Sequence, residues 1–154
     1  MMAIRVLGKL IDKYPDATLC MVGPDKDGSL KSCQILAKEL SVADRIYFTG
    51  LLIKKEWIDL SSNYDIFINT TNFDNHPVSV IEAMALGFPI VSTNAGGLKY
   101  LHAHKQDALL VEKNDVNSMV ESIHAVLEDS TLAESLSINA RKKEESFDWS
   151  EVAT

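Results

Sequence analysis

Five short apolar runs punctuate the chain, at residues 18–22, 45–49, 65–69, 89–93 and 108–111. Their interiors are almost wholly apolar, the pattern of strands covered by helices on both faces. The segments between them have helical spacing. Ile4, Leu7, Leu10, Ile11 and Tyr14 fall on one face, and so do Val116, Met119, Val120, Ile123 and Leu127. Asn114 or Asp115 is placed to cap the second of these helices. A final helical stretch over 132–145 ends near Phe147 and Trp149. The predicted order is helix–strand four times, a short helix, a fifth strand and two helices. Such alternation predicts an α/β fold, a Rossmann-like doubly wound parallel sheet. The chain opens inside a helix that in such folds follows a strand, so the sheet is expected to lack its first strand.

Length and composition narrow the class. The 154 residues fit one domain, 1–154, with a core large enough to need no staples. Apolar residues make up 46% and charged residues 24%, as in ordinary soluble domains. The net charge is −7 and no Lys/Arg run interrupts it, which argues against nucleic acid as a partner. Cys20 and Cys33 do not make a disulfide framework and read as buried free thiols. No stretch is long and apolar enough to span a bilayer, and the start lacks the features of a signal peptide. A cytoplasmic location is the resulting expectation.

In open α/β sheets ligands bind beyond the carboxyl ends of the strands. That rule selects the loops 23–28, 50–55, 70–77, 94–98 and 112–115. The third is the most telling. Pro77 suits the first position of a helix, Asn75 or His76 its cap, and Gly87 its end. The helix is apolar nearly all round and is expected to be buried. Its first N–H groups, at Val78 and Ser79, lack intrahelical partners and carry the positive end of the dipole, which suits a phosphate. Glu82 lies one turn in, where a carboxylate needs a partner: either a basic side chain or solvent, or the vicinal hydroxyls of a ribose.

Asp74, Pro77 and Glu82, followed by Ala83-Met84-Ala85-Leu86-Gly87-Phe88-Pro89-Ile90-Val91 and then Gly96-Gly97, resemble the signature of group 1 (family 4) retaining glycosyltransferases of GT-B fold. That signature has two acidic residues with seven between them, and a proline three after the first. Val22-Gly23-Pro24, Phe48-Thr49-Gly50 and Phe147-Asp148-Trp149 extend the resemblance over nearly the whole chain. Two departures stand out. Asp74 occupies a place where the family most often has Glu. The Arg and Lys that hold the donor diphosphate in the family precede Met1, and Lys9 and Lys13 do not take their role.

The resemblance implies the C-terminal, donor-binding half of a GT-B enzyme, with the acceptor domain absent. The implied reaction moves a glycosyl group from a nucleotide-diphosphate sugar to an acceptor hydroxyl with retention. No cofactor and no obligatory metal are implied. Asp74 and Glu82 are the implied catalytic carboxylates, Glu82 also holding the ribose. Asn75, His76, Pro77, Val78 and Ser79 would contact the donor. Leu51, Leu52 and Ile53 would line the base pocket, with Gly23 on a neighbouring loop. The acceptor, a sugar or lipid-linked glycan, would sit on the absent domain, and the intact enzyme could be peripheral at the inner face of the membrane. His102 and His104 read as bystanders on a surface turn, and His124 as an exposed helix residue. Two rivals remain: a sugar-nucleotide epimerase of the same architecture, and a nucleotide-binding fragment with no activity of its own. A missing strand also leaves edges open, so self-association of the chain is expected.

Overall fold

The computed structural model describes residues 1–23, 25, 28–70, 78–96, 98 and 102–146. They group into two compact units, Met1–Asn63 and Tyr64–Thr154.

The first unit runs α1 (Met2–Leu10), β1 (Leu19–Val22), α2 (Leu30–Glu39), a 3-10 turn (Ala43–Arg45), β2 (Ile46–Gly50) and α3 (Lys54–Ser61). β1 and β2 are parallel, with Leu19 opposite Ile46 and Cys20 opposite Tyr47. Alternation along the strands sends Leu19, Met21, Ile46 and Phe48 into a core of Ile4, Leu7, Cys33, Leu36, Ala37 and Val42 from α1, α2 and the turn that follows. Neither cysteine forms a disulfide; Cys33 is buried as expected, whereas Cys20 is only half-buried. The expectation that every strand is covered on both faces fails here. Val22 is 47% and Tyr47 58% exposed, because both point away from that core.

The second unit runs β3 (Phe67–Asn69), α4 (Val78–Ala85), β4 (Ile90–Thr93), β5 (Leu109–Val111), α5 (Val116–Glu128) and α6 (Ser130–Glu145). Its sheet is parallel, in the order β3-β4-β5. Ile68 pairs with Val91, and Val91 with Leu109. β4 is buried along its whole length, as expected of a strand covered on both faces, with Ser92 and Thr93 buried beside Ile90 and Val91. α4 packs on β3, β4 and α6, and α5 on β4, β5 and α6. Asp115 is the cap of α5: its Oδ1 accepts from Ser118 N–H at 3.0 Å, while Asn114 takes a left-handed conformation at φ 61°. The buried stripe of α5 is Met119, Val120, Ile123 and Val126. Leu127, expected inside, is 42% exposed. Both residues flank the stripe, and the smaller Val126 turned inward. The short helix expected between β4 and β5 falls largely outside the described residues.

Candidate functional site

α4 is described over Val78–Ala85. Asp74, Asn75, His76 and Pro77 lie outside the described residues. The helix buries Val80, Ala83 and Met84 along one face. Val78 is 60% exposed, and Ser79 is exposed as well. The helix is therefore half-buried rather than enclosed, since a single stripe at i, i+3 and i+4 is all that meets the sheet and α6. Val78 and Ser79 are the first described residues of this helix, and the first N–H groups of an α-helix lack intrahelical acceptors. Glu82 is half-buried one turn further on. The carboxyl end closes as expected at Gly87, whose φ of +81° favours glycine. The N–H groups of Phe88 and Gly87 donate to Ala83 O and Met84 O, each at 3.1 Å, a Schellman closure. The Ser137 hydroxyl of α6 donates to Gly87 O, fastening that end to the neighbouring helix.

Buried polar groups stiffen the strand ends beside this helix. Asn69 Nδ2 donates to Ser92 Oγ at 3.3 Å, and Ser92 Oγ donates to Thr93 O at 2.9 Å. Ser92 and Thr93 are fully buried. Asn94 N–H donates to Val111 O at 2.7 Å, while its Oδ1 is buried without a hydrogen-bond partner. Asn69 and Ser92 escaped the sequence reading. The available signal was a polar residue at or next to the end of each of two apolar runs.

In the first unit Gly23 and Gly50 end β1 and β2. Gly23 N–H donates to Gly50 O at 3.0 Å, at φ of +131° and +69°. A Cβ would meet nothing within 4 Å at either residue, so it is the backbone conformation that selects glycine. Leu51 is 79% and Ile53 65% exposed just beyond. Ile53 precedes α3, and its N–H donates to Glu56 Oε2 at 3.0 Å. Leu52 is half-buried and lines a cavity of about 370 Å³ together with Tyr47, Thr49, Glu56, Asp59, Leu60 and Asn63.

The strongest electrostatic cluster is one the sequence reading passed over. His102 is buried, not on a surface turn, because Asp107 folds back against it: Nδ1 lies 3.1 Å from Asp107 Oδ1. Asp107 also accepts from Ala103 N–H and Lys143 Nζ, both at 3.0 Å. Burial pushes the Asp107 carboxyl up, but the hydrogen bonds from His102, Lys143 and Ala103, with the charge interaction with His102, outweigh it and hold the group below its ordinary value. His104 is exposed and accepts from Leu110 N–H on Nδ1 at 3.0 Å. His124, expected exposed, is half-buried on α5. Among the described residues no group of three or more His, Cys, Asp or Glu could hold a metal ion.

In α/β folds with parallel sheets such as these, ligands bind beyond the carboxyl ends of the strands. The family described as glycosyl transferases group 1 matches residues 2–143, and the chain belongs to that family. An uncharacterized glycosyltransferase of Haemophilus influenzae is 32% identical over 146 residues, covering 94% of this chain and 40% of that protein. Among solved structures, the C-terminal domain of a group 1 glycosyl transferase (LpcC) from Francisella tularensis superposes with a TM-score of 0.82 at 20% identity, covering 94% of this chain and 76% of that one. Anabaena HepE in complex with UDP-glucose superposes with a TM-score of 0.87 at 22% identity, covering 98% of this chain and 42% of HepE. The fold is that of a GT-B C-terminal domain, and the chain spans less than half the length of the Haemophilus relative and of HepE. No helix of the described residues is long and apolar enough to cross a membrane.

Proposed function

We propose that this chain is the donor-binding half of a retaining glycosyltransferase that uses a nucleotide-diphosphate sugar. The observations that carry the reading are the exposure of Val78, at 60%, and of Ser79 in the first described turn of α4, with Glu82 half-buried a turn later, in a chain of the group 1 family. The binding of UDP-glucose by HepE, which shares the fold, supports a nucleotide sugar as the ligand class.

The chemical difficulty in such a transfer is negative charge building on the departing diphosphate. Fixed N–H dipoles aimed at that charge stabilise it without reorganising, and the start of α4 supplies them through Val78 and Ser79, with the Ser79 hydroxyl alongside. Glu82 accepts hydrogen bonds from the two ribose hydroxyls. Asp74, with Asn75 and His76, orients the sugar hydroxyls, Pro77 sets the start of the helix, and Gly23 with Leu51, Leu52 and Ile53 serves the nucleoside end. No metal or cofactor is part of the scheme. The acceptor, a sugar or lipid-linked glycan, binds a second domain, in a cytoplasmic enzyme that can sit at the membrane face. Taken alone, this chain binds nucleotide and transfers nothing, a reading favoured by its spanning 40% of the Haemophilus relative. Strand edges with no partner among the described residues make self-association of the chain part of the proposal, read by light scattering as a mass above the monomer.

The test compares UDP with its 2′,3′-dideoxy analogue by calorimetry. Loss of the diol should weaken binding about tenfold, the worth of one charge-assisted hydrogen bond. In Glu82→Ala the two ligands should bind alike. An undiminished preference for the diol in that variant removes Glu82 from the ribose. UDP release from UDP-glucose by the purified chain contradicts its inactivity.

A further inference from the structure

The first unit carries a groove of which the donor reading uses Leu52 alone. Leu19, Met21, Ile46 and Phe48 face the core beneath α1 and α2. Strand alternation therefore turns Cys20, Val22, Tyr47 and Thr49 to the opposite face. In a parallel sheet that face is ordinarily covered. Here Val22 and Tyr47 are about half exposed, and a cavity of about 370 Å³ separates β2 from α3. Its apolar lining is Tyr47, Leu52 and Leu60, and two carboxylates, Glu56 and Asp59, stand on the α3 side. Among the described residues no Lys, Arg or His lines it. β2 pairs with β1 along one edge, and its other edge has no partner strand among the described residues.

A free strand edge beside a helix, with an apolar lining and a charged rim, has the geometry that receives an extended segment as an added strand. The edge supplies main-chain hydrogen bonds, and the groove reads alternate side chains. We propose that the β2–α3 groove docks an extended segment of a partner protein in which apolar and basic residues alternate. Its apolar side chains lie over Tyr47 and Leu60, and its cations face Glu56 and Asp59. Ile46–Gly50 spans roughly 17 Å, enough for a segment of about five residues. A second copy of this chain fits poorly. Two-fold pairing of β2 edges brings the Glu56 and Asp59 carboxylates of both copies into one groove, where like charges repel.

The experiment titrates the isotope-labelled chain with two capped hexapeptides, one alternating lysine with valine, the other glutamate with valine. The lysine peptide is expected to give saturable amide shifts at Tyr47, Thr49, Asp59 and Leu60, weakening as salt rises. The glutamate peptide is expected to give none. Asp59→Lys, an exposed change, should lower affinity about tenfold or more, and Tyr47→Ala, also exposed, should lower it independently. The proposal is overturned by an absence of saturable shifts, by an equal response to the glutamate peptide, or by shifts that map elsewhere. Resonances of the groove that move on dilution without peptide also overturn it, because they assign the groove to a second copy.

Discussion

Replacing Lys143 by Met removes a cation from a buried carboxylate and keeps the length of the side chain. Lys143 Nζ lies 3.0 Å from Asp107 Oδ2, with the Asp107 side chain 5% and the Lys143 side chain 31% exposed. Unit charges about 4 Å apart attract by about 4 kcal/mol at an effective dielectric constant near 20. The ammonium is close to one-third exposed, so solvent screening and side-chain entropy remove most of that, leaving about 1–2 kcal/mol. Asp107 keeps His102 and the Ala103 N–H in the variant, which limits the loss further. The pH dependence has a definite sign. The fold holds the Asp107 carboxyl below its ordinary value of 3.8, so the folded chain binds fewer protons there than the unfolded one. That stability is present in full above the ordinary value and fades as pH falls through the lowered one. Urea unfolding followed by circular dichroism should therefore place Lys143→Met below the parent chain at neutral pH. The gap should narrow as acid protonates Asp107 in both. A neutral-pH loss under about 0.3 kcal/mol, or a gap of equal size in acid, refutes the assignment.

Three further outcomes follow from the packing and backbone. Gly23→Ala and Gly50→Ala should each cost about 1 kcal/mol or more, with Gly23 the costlier at φ +131°, and melting temperatures of the two variants rank them. Leu136→Ala empties a fully buried site in the second unit and should cost about 2–5 kcal/mol in the same urea assay. Asp129→Ala removes the acceptor that holds Leu132 N–H at 3.1 Å at the start of α6, and should cost about 1 kcal/mol, whereas Asp129→Asn or Asp129→Ser should cost little.

The five strands were legible because apolar runs bounded by turn residues leave few alternatives. Each observed strand falls within one or two residues of its run, from Leu19–Val22 to Leu109–Val111. Asp115 and Gly87 announced a helix start and a helix end through side-chain chemistry that acts locally. Burial was less legible, because it depends on what lies across the element. α4 looks apolar on every side in sequence, yet one stripe meets a neighbour and Val78 stays open. Tyr47 sits in an apolar run and is exposed, since α3 stands off from that face of β2 across an open groove. His102 read as a surface residue because its partner Asp107 is set by a tight turn, and Asp107's own partner Lys143 by a helix that returns 36 residues later. No periodicity encodes that meeting. Of the candidate site, the family motif brought out Glu82 and the helix start. The hydrogen bond of Asn69 to Ser92 needed the strand register.

The account rests on an anion docking at the start of α4, and amide chemical shifts read that corner directly. UDP titrated into the isotope-labelled chain should move the Val78 and Ser79 amides in a saturable way, and uridine without phosphates should leave them in place. UDP that binds while those two amides stay still, or that moves them no more than uridine does, contradicts the claim.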